Sequence, residues 1–172
     1  IAVATPAALS AYSAVKNSGN SIPVIFCAVS DPVGPGLVKS MEKPENNCTG
    51  TSDAFDIAGQ VKLIKQIQPE IKTLGVLYTT TEANSLSQLK TLQAECDANG
   101  ITLEASGINE ASELPAAAST LVTKVDAVTN LTDNNVVDSM SVVLELAKEK
   151  NIPVYGSEIE QVKLGCVASA SI

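Results

Sequence analysis

Short apolar runs alternate with longer segments of helical periodicity along almost the whole chain. The strand-like runs are residues 1–4, 22–29, 73–78, 101–108, 127–131 and 152–156, with a last run from 165. The helical segments between them are residues 7–17, 53–67, 82–99, 110–122, 135–150 and 158–162. Such alternation predicts an α/β fold with a parallel sheet, right-handed crossovers and helices on both faces, in three layers.

The composition narrows the range of functions. The 172 residues carry 11 Lys+Arg against 19 Asp+Glu, a net charge of −8, and contain no His, no Trp and no Arg. Nucleic-acid binding is therefore not expected, because phosphate backbones are held by clustered cations. Without His there is no Ser–His–Asp catalytic triad, so we expect a binding protein rather than an enzyme. We also expect no cofactor. No apolar run approaches the roughly 20 residues of a membrane helix.

A Pro- and Gly-rich stretch over residues 32–52 divides the chain unequally. Residues 1–31 hold two strands and one helix, which is the end of an incomplete lobe, whereas residues 53–156 make up a nearly complete α/β lobe. Both ends of the sequence read as strands, which predicts a piece of a longer chain. The four cysteines form no CxxC motif, and they are either small buried hydrophobes or, in an exported protein, disulfide partners in one of three pairings.

The predicted strands end in polar residues, and in a doubly wound sheet ligands bind at those carboxyl ends. At the first such end, Thr5 and Pro6 begin a helix, where the amides of Ala7 and the next residue suit a carboxylate without any arginine. The alternative is that Thr5 only caps its helix.

Ser30 and Asp31 follow the second strand, and Asp133 and Ser157 follow two later strands. We expect the carboxylate of Asp31 or of Asp133 to balance the ammonium group of an amphoteric ligand. The alternatives are that Asp31 stabilises a turn before Pro32 and that Asp133 caps a helix.

Aromatic side chains also lie on these strands. Tyr78 ends the run at 73–78, and it either stacks on an aromatic ligand or belongs to the core, as do Tyr155 and Phe26. Glu82 and Asn84 begin the next helix and either contact ligand or cap that helix.

Several stretches in a fixed order resemble a known family. They are IAVATPAA, IPVIFCAVSDPVGPGLV, NNCTGTSD, IKTLGVLYTTTEANS, DAVTNLTDNNVV, IPVYGSE and GCVASASI. Together they resemble the substrate-binding proteins of bacterial ABC importers in the tryptophan/tyrosine uptake group. The combination of SDPVGPGLV, TEANS and LTDNN in order carries the resemblance, which runs over essentially the whole chain.

The resemblance implies a type I periplasmic-binding-protein fold, in which two α/β lobes close on a ligand. Residues 1–31 would be the C-terminal part of the first lobe, 32–52 the hinge, 53–156 the second lobe and 157–172 the return toward the hinge. The implied first-lobe contacts are Thr5, Pro6, Ala7, Ser30 and Asp31. The implied second-lobe contacts are Tyr78, Glu82, Asn84, Asp133 and Ser157.

The resemblance also implies an extracytoplasmic protein, periplasmic or lipid-anchored at the cell surface, that binds an aromatic or other hydrophobic amino acid. It would deliver this ligand to an ABC permease in the membrane. Two other interpretations stay open: a ligand-sensing domain of a regulator with the same fold, and a small α/β enzyme that uses Asp, Lys and Ser. The absence of His and Arg disfavours the enzyme.

Overall fold

The computed structural model describes residues 1–170, and the chain divides into two compact units. Unit 1 is Ile1–Ala54 together with Glu82–Ser87, and unit 2 is Phe55–Thr81 together with Gln88 onward. The stretch 32–52, predicted as a separate crossover segment, is grouped with unit 1. The assignment of these units to two lobes joined by a hinge stays a prediction.

Every strand pair in the described residues is parallel, which confirms the predicted α/β class. The strands β1 to β7 are Ala2–Val3, Val24–Cys27, Cys48–Gly50, Thr73–Thr79, Thr102–Ile108, Ala127–Thr129 and Val154–Tyr155. The helices α1 to α7 are Thr5–Ser18, Ile57–Ile67, Ala83–Ala98, Leu114–Leu121, Asn134–Asp138, Met140–Glu149 and Ile159–Leu164, with a 3-10 turn at Ala111–Glu113.

Unit 1 is built on a three-stranded sheet in the order β1-β2-β3. Its core packs one face of this sheet, including Val24 and Phe26, against α1. The alternate β2 residues Ile25 and Cys27 are exposed. The run 22–29 is almost continuously apolar, a pattern typical of a parallel strand buried on both faces. That expectation is wrong for β2, because its burial follows the two-residue period of a half-covered strand.

Strand β3 was not predicted, because it lies in the stretch rich in Pro, Gly and Asn. It forms by pairing with β2, with Val24 opposite Cys48 and Phe26 opposite Gly50. Pairing with a neighbouring strand has outweighed weak local propensity here.

Unit 2 has a four-stranded sheet in the order β5-β4-β6-β7, with a separate hydrophobic core on each face. Leu74 and Val76 of β4 pack on the side of α2 and α3, whereas Leu77 packs on the side of α4 and α6. Because alternate β4 residues point to opposite faces, this strand is buried on both sides. The three predicted layers are thus present in unit 2.

The helix starts differ from the sequence-based expectation at two places. Helix α1 begins at Thr5 itself, the preceding residue Ala4 has φ 67°, and no side chain caps the helix; the prediction that Thr5 is the cap is wrong. Helix α2 begins at Ile57 rather than 53, and Asp56 caps it by accepting a hydrogen bond from the Gly59 amide at 2.9 Å.

Two features in the last third of the chain also differ. The single helix predicted over 135–150 is divided into α5 and α6 at Ser139, where φ is −108° and ψ is 17°. Residues 165–170 are not assigned as a strand, although the Val167 amide donates to the Val154 carbonyl at 2.8 Å. Residues 171 and 172 of that predicted strand lie outside the described residues.

Three of the four cysteines are buried, as expected for small hydrophobes, but Cys27 is exposed and all four are free thiols. Burial raises the pKa of Cys96 and of Cys166 to about 11. Within residues 1–170, no helix is both long and apolar enough to cross a membrane.

Candidate functional site

In unit 1, the carboxyl ends of β1 and β2 carry backbone strain. Ala4 and Ala28 follow these adjacent strands with φ of 67° and 53°. An L-residue with a side chain in this region costs about 1–2 kcal/mol. The Ala4 amide also donates to the Cys27 carbonyl at 3.0 Å. Such strain is often found where the backbone is shaped for a function, and here it lies at the edge where the sequence predicts ligand binding.

Helix α1 starts at this edge and presents the positive end of its dipole there. Pro6 and Ala7 are exposed in its first turn, whereas Thr5 is only 3% exposed. The Ala8 amide donates to the Ala4 carbonyl at 3.1 Å, so Ala8 is not an additional amide for an anion.

Asp31 holds the turn after β2. Its Oδ1 accepts hydrogen bonds from the Val33 and Gly34 amides at 3.1 and 2.8 Å, and its Oδ2 accepts one from the Ser87 hydroxyl at 2.6 Å. Burial raises the pKa of Asp31, but the bonds from Gly34, Ser87 and Val33 outweigh it, so that the pKa lies below its ordinary value. The turn-stabilising alternative therefore describes what Asp31 does here, and its role toward a ligand ammonium stays a prediction.

Other polar residues of unit 1 are half-buried or buried. Ser30 is half-buried, and its carbonyl accepts a hydrogen bond from the Ser52 hydroxyl at 3.4 Å. Glu82 is 8% and Asn84 is 2% exposed, and the Asn84 Nδ2 donates to the Glu82 carboxylate at 3.2 Å. The resemblance to the known family implied that Glu82 and Asn84 belong to the second lobe, whereas the structure groups them with unit 1.

In unit 2, Tyr78 lies near the end of the central strand β4 and is half-buried. It is opposite Gly107 of β5, and a Cβ at position 107 would lie 3.0 Å from the Tyr78 Cζ and Oη atoms. The ring therefore lies across the glycine toward the edge of the sheet. Tyr155, by contrast, is fully buried and its hydroxyl donates to Gln68 Oε1 at 2.8 Å.

Asp133 is fully buried where β6 leads into α5. Its carboxylate accepts hydrogen bonds from the Thr79 amide at 2.6 Å and from the Thr79 hydroxyl at 2.8 Å. It also caps α5 by accepting from the Val136 amide at 3.1 Å. Asp133 thus caps a helix, which is the second of the two roles that the sequence allows. It also joins the end of β4 to the start of α5.

Ser157 is 4% exposed and belongs to a buried polar network after β7. Its hydroxyl donates to the Leu131 carbonyl at 3.1 Å and accepts from Gln161 Nε2 at 2.9 Å. Asn130 Nδ2 donates to the Oε1 of the same glutamine at 2.9 Å. The carboxyl ends of β6 and β7 are thereby tied together.

Sequence reasoning missed three buried glutamines: Gln60, Gln88 and Gln161, which are 0%, 6% and 1% exposed. A glutamine on a helix is usually read as a solvent-facing residue. For Gln60, the spacing in the sequence could have indicated burial. This residue lies three residues after Ile57 and four before Ile64, within the apolar stripe of α2.

A family model described as "ABC transporter substrate binding protein" matches residues 1–172. A protein named "Tyrosine-binding protein" from Clostridioides difficile (strain R20291) is 42% identical over 171 residues, which is 99% of this chain and 48% of that protein. The chain therefore spans about half the length of this curated relative.

Two solved structures resemble this chain closely. An ABC domain from Streptococcus pneumonia in complex with L-Trp is 35% identical to this chain, with a TM-score of 0.89. The match covers 95% of this chain and 56% of the ABC domain. A substrate binding protein with adhesive properties from Clostridium difficile, in a ligand-free, open structure, is 40% identical, with a TM-score of 0.68. The match covers 95% of this chain and 54% of that protein chain.

Proposed function

The chain belongs to the ABC transporter substrate binding protein family, and on that premise we propose that it is the ligand-binding part of an importer for an aromatic amino acid. The observation that carries the proposal is the pair of relatives whose names specify tyrosine and L-Trp. Each is more than 30% identical over at least 95% of this chain. The resemblance found in the sequence is thereby confirmed at the level of the family.

The side chains at the carboxyl edges suit an amphoteric aromatic ligand. In unit 1, the start of α1 favours a carboxylate, and Asp31 and Glu82 favour an ammonium group. In unit 2, the ring of Tyr78 is only half-buried, which leaves part of its surface for stacking on an aromatic ring. The proposed contacts are Thr5, Pro6, Ala7, Ser30, Asp31, Tyr78, Glu82, Asn84, Asp133 and Ser157.

Without arginine, the carboxylate is bound by backbone amides and hydroxyls. These groups are neutral dipoles, so the contribution of the carboxylate to the binding free energy depends on their being held in place. We therefore expect salt to weaken binding only through the contact of the ligand ammonium with Asp31 and Glu82.

The full-length protein works outside the cytoplasm and passes its ligand to an ABC permease in the membrane, as members of its family do. It is either free in a periplasm or lipid-anchored. Stimulation of ATP hydrolysis by the cognate permease complex in proteoliposomes, dependent on both protein and amino acid, tests this partnership. The relatives are binding proteins, which is consistent with a protein that is not an enzyme, and they do not support the regulator alternative.

Calorimetric titration of the full-length protein with L-tyrosine, L-tryptophan, L-phenylalanine and L-leucine tests the ligand class. We expect the aromatic amino acids to bind more tightly than L-leucine. Replacement Tyr78→Leu removes the stacking surface, and we expect it to weaken aromatic ligands about tenfold while leaving L-leucine nearly unchanged.

Tyr12→Leu is the matched control, because Tyr12 is a half-buried tyrosine on α1 whose ring lies near Lys16. It should leave all four affinities unchanged. Absence of heat and of thermal stabilisation with every amino acid would refute the proposal.

A further inference from the structure

The segment that leaves β6 is held at five successive positions, each by a side chain from another part of unit 2. This 129–133 segment runs from the last residue of β6 to the cap of α5. The bonds, in order, join Thr129 to Gln60, Asn130 to Gln161, the Leu131 carbonyl to Ser157, Thr132 to Gln88, and Asp133 to Thr79. Each bond reaches a residue at least 26 positions away in sequence, so tertiary contacts rather than local turns hold this segment.

Gln88 holds Thr132 at two points through the amide group of its side chain. Its Oε1 accepts from the Thr132 amide at 2.9 Å, and its Nε2 donates to the Thr132 hydroxyl at 2.7 Å. One side chain therefore fixes both the position and the orientation of Thr132. Gln88 is 6% exposed, so water competes little for these bonds and their geometry is strongly favoured.

This segment at the carboxyl edge of the sheet is restrained along its whole length. Connections there are ordinarily the most mobile parts of an α/β unit. Strand β6 lies between β4 and β7, so the segment follows an interior strand of the edge at which ligands bind in such sheets.

Holding a binding segment in place before the ligand arrives lowers the entropy lost on binding. We propose that Gln88 is a positioning residue, which through its two-point bond to Thr132 keeps the 129–133 segment in the conformation that binds an aromatic amino acid. This inference rests on the proposed function. Gln88 raises the fraction of the protein that is ready to bind, and it does so without touching the ligand.

The kinetic consequence distinguishes positioning from direct contact. If Gln88 sets the binding-competent fraction, its loss lowers the apparent association rate in proportion to that fraction and leaves the dissociation rate nearly unchanged. A residue that touches ligand changes mainly the dissociation rate. A residue that only stabilises the fold lowers the melting temperature and changes neither rate.

The test compares Gln88→Met with Gln93→Met in the full-length protein. Gln93 lies on the same helix, is exposed, and donates to Asp97 one turn along α3 at 2.8 Å. Methionine preserves the length and volume of the side chain and removes both amide bonds. Hydrogen–deuterium exchange of ligand-free protein, and stopped-flow binding of L-tyrosine and L-tryptophan, are measured for each variant.

For Gln88→Met we expect exchange at residues 130–133 to accelerate about tenfold without ligand, and association to slow about five- to twentyfold. Gln93→Met should change neither. Gln88→Glu retains an acceptor for the Thr132 amide, so it should restore part of the exchange protection, and it replaces Gln88→Met if that variant does not fold.

Unchanged exchange at 130–133 in Gln88→Met overturns the inference, and so does faster exchange with unchanged association. If the wild-type protein binds none of the amino acids, the proposed function fails. The exchange comparison then still decides whether Gln88 holds the segment.

Discussion

At the residue scale, carboxylates with several protein donors shape the turns at the ends of the strands. Asp31 accepts from two amides and a hydroxyl, and the buried Asp133 accepts from two amides and a hydroxyl as well. Hydrogen bonds to a charged group contribute more than neutral ones, typically about 1.5–3 kcal/mol. Both residues are therefore structural in this chain, whatever they contribute to a ligand.

The carboxylates of Asp126 and Asp31 predict that the stability of the chain is sensitive to acid. The pKa of Asp126 lies below its ordinary value, because its carboxylate accepts from the Lys72 and Thr73 amides at 2.9 and 2.8 Å; the pKa of Asp31 is also lowered. A carboxyl whose pKa is lower in the folded state contributes stability above its unfolded pKa, and this contribution is lost as the pH falls through the folded value. We expect the free energy of unfolding to decrease below about pH 4.

Urea unfolding between pH 2.5 and 6 measures this loss. Asp126→Asn should make the decrease with falling pH shallower, by a small amount because solvent screens this exposed group. Asp138→Asn, at an exposed carboxylate of α5, should leave the slope as in the wild type. An Asp126→Asn slope equal to that of the wild type would contradict the assignment.

At the element scale, a glycine of β5 makes room for side chains at the end of β4. Tyr78 lies across Gly107, and a Cβ there would also lie 2.9 Å from the Thr80 Cγ2 atom. Real Cβ atoms essentially never approach other atoms below 3.0 Å, so the Thr80 side chain would have to move, and the Tyr78 ring would have to shift slightly as well. The small residue on β5 thus determines where the aromatic side chain of β4 lies.

We expect Gly107→Ala to destabilise the chain by about 1–2 kcal/mol and to change the near-ultraviolet circular dichroism of tyrosine. Glu104→Ala, on an exposed position of the same strand, is the control and should leave the spectrum unchanged. An unchanged spectrum in Gly107→Ala would show that the ring does not lie over this glycine.

At the scale of the whole molecule, the two units differ in how their sheets are covered. The unit 2 sheet has a core on each face, whereas the unit 1 sheet is covered by α1 on one face and exposes Val3 and Ile25 on the other. Apolar burial supplies most of the stability of a unit. Unit 2 should therefore be the more stable of the two.

Native-state hydrogen exchange tests this difference. We expect the β4 amides to exchange slowest and the β2 amides to exchange at least tenfold faster, through opening of unit 1 without unfolding of unit 2. Equal protection of β2 and β4 would show instead that the two units unfold together.

Several elements were predictable from the sequence with accurate bounds. Strand β4 was expected at 73–78 and is Thr73–Thr79, and α3 was expected at 82–99 and is Ala83–Ala98. Both have strong local signals: an apolar run for β4, and a Gly100 with φ +67° after the end of α3. Strand β3 has no comparable local signal, because its pairing with β2 produces it. The division between α5 and α6 at Ser139 is marked by neither Pro nor Gly.

The candidate site was predictable only in part, since the polar strand ends were visible but the bonds among them were not. The sequence by itself determined the alternation of most strands and helices and the family, because periodicity and residue chemistry are local properties. Only the tertiary structure decided that Asp31 and Asp133 are occupied by protein donors and that Gln88 holds Thr132. A buried polar group must find a partner, and which partner it finds depends on which elements the fold brings together.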